Sequence, residues 1–482
     1  MTGTVQGPAV RTPRPGGSAA TGLTSVICRY AAGTRYADLP DDVVDRAKRV
    51  ILDETASAVL GASLPAARTV QACLDPPGGA AAGATRAHVL GTGTFAAADQ
   101  AALANGTAGH ADEIDGAHVV GGHPGATLVH AVTAAAQQYH STGAELLTAL
   151  VLGYDIGTRL IEACGGTFGL KQRRHLHADF LHALGAAAAC GRLAGLDAEG
   201  LGHALALATF QANGLGALFG EHHHLSKAFC NGQYAASGVR AALMAARGLQ
   251  GPDDVLGARH GLLEAWGVEG GAEKLTDGLG TRFTILDGNV KFLRAGYPIH
   301  AVVEAALAAL GDTRPEELGS IVVGLPAHAL EVVDDRTMHN ICVQDVLAAT
   351  LLRRRAPRLD SDPFPTVLDE PGFAAIRSRI AVEVDPDLER VDPEGRGARV
   401  TLATPHGRVT TRIDHPRGHS RRGGASWEEL EAKWEEALPG SDVARWVSLS
   451  RALDTAEDCH ELVAAFAAAP GTTTERTTTG AR

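Results

Sequence analysis

The sequence predicts a mainly α-helical protein: a large helical domain drawn from both ends of the chain, with a smaller α+β domain inserted before the last helices. Three observations predict it. Apolar residues recur at helical spacing from Leu39 to about Ala265, short β-branched runs replace that pattern between Ile321 and Ile413, and a helix-start signature returns at Ser426. At 482 residues the chain also exceeds what one compact core organises, so two domains are expected.

Taken in order, residues 1–20 are rich in Thr, Gly and Pro and residues 470–482 in Thr, Gly and Arg, so both are expected to be disordered tails that bury little apolar surface. The first part of the helical domain is assigned to residues 21–287. Pro40-Asp41 opens a helix with Val44, Ala47, Ile51 and Ala58 at helical spacing, and Gly61 stops it. Further helices are expected over 129–138, 144–162, 182–194, 201–212 and 234–246. The α+β domain is assigned to 288–420, with strands at 321–323, 380–384, 398–403 and 408–413. Thr404-Pro405-His406-Gly407 joins the last two as a hairpin. Ser426-Trp427-Glu428-Glu429 is a capping box that starts a helix through Ala437, and residues 421–469 are expected to rejoin the helical domain. No 20–50-residue period is present, which disfavours a solenoid.

Composition then limits the function. Hydrophobic residues are 45% and charged residues 20%, a globular balance, whereas aromatics are only 4% and glycines number 58, which favours close helix packing through small side chains. The net charge of −12 opposes a polyanion, and no Lys/Arg run is interleaved with aromatics, so nucleic acid is excluded as a partner. No apolar stretch reaches the roughly 18 residues a membrane span needs, and the N-terminal segment to Thr24 lacks a signal-peptide core, so no membrane partner and a cytoplasmic location are expected. The seven cysteines are scattered without a CxxC pair and read as reduced small apolar residues. Neither a Gly-x-Gly-x-x-Gly turn ahead of a strand–helix unit nor a Gly-x-Ser-x-Gly or Walker loop is present, which removes nucleotide-binding and serine-hydrolase readings.

The richest chemical signal is histidine, the side chain best suited to take a proton near pH 7 and return it. His110, Asp112, Glu113, Asp115 and His118 crowd one stretch, and Gly122-His123-Pro124-Gly125 places His123 where a loop enters a helix, a position that favours a bound anion. The plain alternative is a polar loop whose aspartates cap helices. His175-Leu176-His177-Ala178-Asp179 and His222-His223-His224 offer imidazoles of the kind zinc or iron accepts. Alternate residues on a helix point about 200° apart, however, so neither spacing argues for a metal, and no cofactor is expected.

The stretch from Asn105-Gly106-Thr107 through His110-Ala111 to Asp115, followed by His123-Pro124-Gly125-Ala126, resembles the signature of the MmgE/PrpD family, which includes 2-methylcitrate dehydratases and cis-aconitate decarboxylases. Gly153-Tyr154-Asp155 with Arg159, Lys227 before Gly232, Gly248-Leu249-Gln250-Gly251-Pro252, Tyr297-Pro298-Ile299-His300 and Asp414-His415-Pro416-Arg417-Gly418 follow in the family's order, so the resemblance runs from about 25 to 468. It implies a helical domain with a lid, an active site in the cleft between them, a homodimer and a small carboxylic acid substrate. It further implies that His123, Lys227 and His300 are active-site residues, with one more histidine at 175 or 177, of which His177 is preferred. Glu113, Asp115, His118, His175, Lys291, Arg294 and Tyr297 are the candidate substrate contacts. Three positions depart from the pattern: Glu113 where Asp is usual, Gly116-Ala117 in place of Asp-Thr, and Ala295 where the decarboxylases carry a lysine.

The residues themselves support that chemistry. An α-proton of a carboxylate is weakly acidic, so its removal needs a base and stabilisation of the developing charge. One imidazole can be the base, and a second can protonate a leaving hydroxyl or the carbanion left by carbon dioxide. Lys227 can hold a carboxylate. Dehydration is the first expectation, ahead of decarboxylation and then epimerisation, and a non-catalytic metabolite-binding paralogue is the alternative from another class. For Lys227 the plain reading is a solvated helix-end lysine, and for His300 a lid-surface histidine.

Overall fold

The computed structural model describes residues 22–74, 86–211, 213–391 and 396–467; the two expected tails, 1–20 and 470–482, lie outside them. The chain is mainly helical with a small α+β part. Two apolar clusters form the helical body. One gathers Ile51, Leu128 and Leu147 with Trp427, Leu430 and Trp434 from the far end of the chain, and the other gathers Ile27, Ile156, Leu205 and Leu256. A third, built only from residues between Leu293 and Leu402, belongs to the α+β part.

The C-terminal return is fixed by a cap and a buried charge pair. Ser426 Oγ accepts the Glu429 N–H at 3.2 Å while Glu429 Oε2 accepts the Ser426 N–H at 3.0 Å, which starts the helix Trp427–Ala437. Lys433 Nζ (2.7 Å) and Trp434 Nε1 (2.9 Å) of that helix both donate to Asp53 Oδ1 in the core of the helix Asp41–Gly61.

The expected helices are present, several longer than their apolar periodicity implied: Pro124–Tyr139, Gly143–Ala163, His182–Leu193, Ala198–Gln211 and Ser226–Ala246. The segment Asn105–His110, for which no helix was expected, is the end of a buried helix, Ala98–His110. Glycine serves there as a contact surface. A Cβ on Gly106 would lie 2.8 Å from the Gly232 Cα, and one on Gly232 would strike the Leu103 carbonyl, so the helices Ala98–His110 and Ser226–Ala246 cross backbone on backbone. That crossing carries Lys227, one turn before Gly232, up to the loop that follows His110.

Two small pairings went unpredicted because strands of two or three residues show no period. Ala87–Val89 pairs antiparallel with Thr94–Ala96, and Ala117–His118 with Gly288–Asn289. The second ties the loop after His110 to residues far along the chain and so sets Lys291 beside Glu113. In the α+β part the four expected strands form one sheet. Ile380–Val384 runs parallel to Ile321–Leu325, which pairs antiparallel with Ala398–Thr404, and that strand hairpins with Gly407–Ile413. The helix Ile299–Leu310 packs on the strands Ala398–Thr404 and Gly407–Ile413, and Val343–Arg353 packs against that helix in the same apolar cluster. Among the described residues no single helix is long and apolar enough to cross a membrane; the pair Asp41–Gly61 and Pro65–Ala72, bent by 82°, passes that test only jointly, and the longer helix is largely buried in the core.

Candidate active site

The site is organised around two carboxylates in the loop that follows the helix Ala98–His110. Glu113 sits at φ 55°, the left-handed region that a residue with a Cβ seldom adopts unless its surroundings hold it there. Its Oε1 accepts from Lys227 Nζ at 2.7 Å, and its Oε2 from Lys291 Nζ at 2.8 Å. Lys291 also donates to the Glu113 carbonyl at 3.0 Å. Burial opposes ionisation of Glu113, but the two ammonium groups outweigh it and hold the carboxyl well below its ordinary range. The same contacts overcome the burial of Lys291 and keep it charged.

Asp115, fully buried, places one oxygen between two imidazoles: His110 Nδ1 at 2.8 Å and His123 Nδ1 at 3.1 Å. His123 Nδ1 also lies 3.0 Å from the Gly116 carbonyl. A ring whose Nδ1–H is spent on a carboxylate and a carbonyl presents Nε2 as a proton acceptor. His123 stands at the N-cap of Pro124–Tyr139, after Gly121 and Gly122 at φ 102° and 82°, a tight turn that turns its ring to the cavity wall. His110, in contrast, is pushed down to about 3, chiefly by burial, and remains a neutral support for Asp115.

Asp179 links the second imidazole to the first. Its Oδ1 accepts the His123 backbone N–H at 3.3 Å, and its Oδ2 lies 3.4 Å from His177 Nε2. Burial opposes its charge, yet His177, His123 and His182 together hold it down at about 2. His177 is shifted down, first by burial, which leaves it neutral near pH 7 in the unliganded protein.

A cavity of about 140 Å³ lies between the helical body and the α+β part, and His123, His177, Lys227, Glu113, His118 and Tyr297 all line it. The Tyr297 hydroxyl is buried without a hydrogen-bond partner among the described residues, and burial raises its pKa, so it keeps its proton and can donate to a ligand oxygen. His118 is a wall residue: Nε2 bonds the Thr284 carbonyl at 2.8 Å, and Nδ1 accepts the Val120 N–H.

Four further candidate positions lie outside the lining of this cavity. His175 caps the C-terminus of Gly166–Arg174 at φ 56°, is exposed and does not line the cavity; the chain's extended step to His177 turns the latter inward. Lys291 is completely buried behind Glu113 and cannot reach a ligand. Arg294 pairs with Asp112 at 2.9 Å and faces a separate cavity of about 690 Å³. His300 is buried rather than on the lid surface. It packs edge-on against Tyr297 at 5.2 Å, outside the cavity lining, and is pushed down to about 3 by burial and by Lys291.

Sequence reasoning missed His224, whose Nε2 lies 2.9 Å from the His110 carbonyl and 3.5 Å from Glu113 Oε1. The triplet 222–224 had been weighed for metal binding alone. At the site, two donor sets each hold their ligand atoms within 4.8 Å of one another, His110/Asp115/His123 and His110/Glu113/His224; a third set, His140/Asp458/His460, lies elsewhere. Both carboxylates are already committed, Asp115 to imidazole N–H groups and Glu113 to two ammonium groups that would repel a cation. Activity is therefore expected to survive exhaustive chelation with EDTA; loss that is restored by a divalent ion would overturn this reading.

Residues 25–272 match the MmgE/PrpD N-terminal domain and residues 294–453 the MmgE/PrpD C-terminal domain. A cis-aconitate decarboxylase of Aspergillus terreus is 29% identical over 304 residues, and a cis-aconitate decarboxylase-like protein of Aspergillus oryzae is 27% identical over 301. The aligned region covers 60% of this chain and 60% of the first relative, and 59% and 60% for the second.

Proposed function

The chain belongs to the MmgE/PrpD family, and from that premise we propose that it is a lyase that removes a proton next to a carboxylate of a small hydroxy acid. The observation that carries the reading is the Asp115–His123 pair, a buried carboxylate that fixes through Nδ1 an imidazole lining the cavity. His123 Nε2 takes the proton from the carbon adjacent to the carboxylate, and the electron pair moves into that carboxylate. Lys227 and the Tyr297 hydroxyl stabilise the charge that collects on its oxygens. As the electron pair returns to form the carbon–carbon double bond, the β-hydroxyl departs. A bound anion favours the imidazolium form of His177, which gives the leaving oxygen its proton, so water is released.

The likeness to cis-aconitate decarboxylase favours a second reading, in which the same site releases carbon dioxide. There the carbon–carbon bond to one carboxylate breaks, and an imidazolium protonates the resulting carbanion. Incubation in heavy water with 2-methylcitrate, citramalate or cis-aconitate, followed by NMR, tests both. Deuterium entering next to a carboxylate supports the shared proton chemistry; an alkene without gas identifies dehydration, and carbon dioxide identifies decarboxylation. Absence of exchange and turnover with every acid tried removes the lyase reading in favour of a binding protein.

A further inference from the structure

The helix Pro124–Tyr139 has His123 before its first residue and His140 after its last, so its length sets His140 about 24 Å from the candidate active site. There it meets the C-terminal return of the chain. His140 Nδ1 lies 3.3 Å from Asp458 Oδ2, and His460 Nδ1 lies 2.8 Å from Asp458 Oδ1. The two rings stack, 18° from parallel with centroids 5.0 Å apart, and both turn the same nitrogen toward one carboxylate. One ligand atom from each of the three residues falls within 4.8 Å of the other two.

The backbone holds these side chains in place. His140 sits at φ 52°, a left-handed turn that ends the helix. Just beyond it, Gly143 donates its N–H to the Ala456 carbonyl at 2.9 Å, and Cys459 donates to the Ser141 carbonyl at 3.1 Å. A Cβ on Gly143 would strike the Leu453 carbonyl, so the segments pack backbone on backbone. Residues 318 apart in sequence are thereby fixed beside one another, with ligand groups on both sides.

The local charge suits a cation. The C-terminal end of a 16-residue helix carries partial negative charge, and His140 stands on it. Burial works against the charge of Asp458, but the His460 N–H at 2.8 Å and the two rings outweigh it and hold the carboxyl below its ordinary value. Glu113 differs directly: its oxygens meet two ammonium groups, whereas those of Asp458 meet imidazoles, which can offer a lone pair.

We propose that His140, Asp458 and His460 form a surface site for a zinc-type divalent cation, which clips the short helix His460–Ala465 to the helical body. Two imidazoles and a carboxylate are a set that zinc accepts, with water in the fourth position. Ligand atoms around a tetrahedral zinc lie about 3.3 Å apart. The His140 Nδ1–Asp458 Oδ2 separation already has that value, and a small rotation of the partly exposed His460 ring opens its contact to match. Each neutral ring carries its proton on Nε2 once Nδ1 holds the metal, so binding releases no net proton from a neutral ring.

The test uses the full chain, stripped with EDTA and desalted, then titrated calorimetrically with Zn²⁺. One equivalent is expected to bind with a Kd of about 10 μM or tighter, and a hundredfold excess over Kd should raise Tm by a few degrees. His140→Asn, which suits the left-handed backbone, and Asp458→Asn should each weaken that binding at least about tenfold, since losing a ligand costs no less than losing its outer support. Co²⁺ in place of Zn²⁺ should show the visible bands of a four-coordinate ion in the parent and in neither variant. The double variant His222→Asn/His223→Asn controls for the exposed triplet and should bind like the parent. Binding weaker than about 100 μM, an equivalent that survives both His140→Asn and Asp458→Asn, or one abolished by the triplet variant overturns the site. Turnover and deuterium exchange are read separately at 25 °C, so failure of the lyase reading leaves this inference standing, and the converse.

Discussion

Replacing His123 by alanine is expected to lower kcat by about 10²-fold or more while leaving the fold intact, because general-base catalysis contributes that order and the substitution removes the proposed base. Structure gives little reason for instability. The His123 side chain makes no cap hydrogen bond to the helix Pro124–Tyr139, and its ring is among the less buried members of the cluster. Asp115 keeps His110 Nδ1 at 2.8 Å and Lys291 at 3.7 Å, so its charge is not stranded. The loss should therefore fall on kcat, with a smaller change in KM, since the variant retains Lys227 and Tyr297, the proposed contacts to the acid. Circular dichroism and a thermal melt alongside the kinetics separate this from misfolding. A variant that folds and turns over within threefold of the parent takes the proton-abstraction role away from His123.

Much of this was legible in the sequence, for reasons that differ by element. The strands between Ile321 and Ile413 and the cap at Ser426 follow from local chemistry, β-branched alternation and a reciprocal side-chain bond, and both were readable in place. The helix Ala98–His110 was obscured because Gly106 and Gly109 look like connection until Gly232 and His130 are seen filling the space against them. At the site, His123, His177 and Lys227 could be named from motif and residue type, whereas which of them faces a ligand depends on contacts distant in sequence. Lys291 and Arg294, three residues apart, illustrate this: one is sealed behind Glu113 and the other turned toward Asp112.

The largest effect on stability is expected from Glu113→Gln. The replacement keeps the shape and the left-handed backbone but removes the carboxylate charge that bonds both Lys227 and the completely buried Lys291, and leaves Lys291 only Asp115, at 3.7 Å. Breaking a buried ion pair by deleting one partner costs about 3–5 kcal/mol, because the surviving charge is left without compensation; the retained amide oxygen, which can still accept from an ammonium, places the expectation at the lower end of that range. The pH dependence follows from the direction of the shift. Glu113 has its folded pKa held well below 4.5, so the unfolded chain binds the proton more readily. Its contribution is complete above about 4.5 and is lost as pH falls through the depressed folded value. Urea unfolding should show the parent losing its advantage over Glu113→Gln on acidification below that point, with the two curves converging. The double variant Glu113→Gln/Lys291→Met should recover part of the loss, since it no longer buries an unpaired ammonium. A difference between parent and Glu113→Gln that stayed constant from neutral pH into the acid range would mean that the carboxylate charge is not what holds this loop against the two lysines.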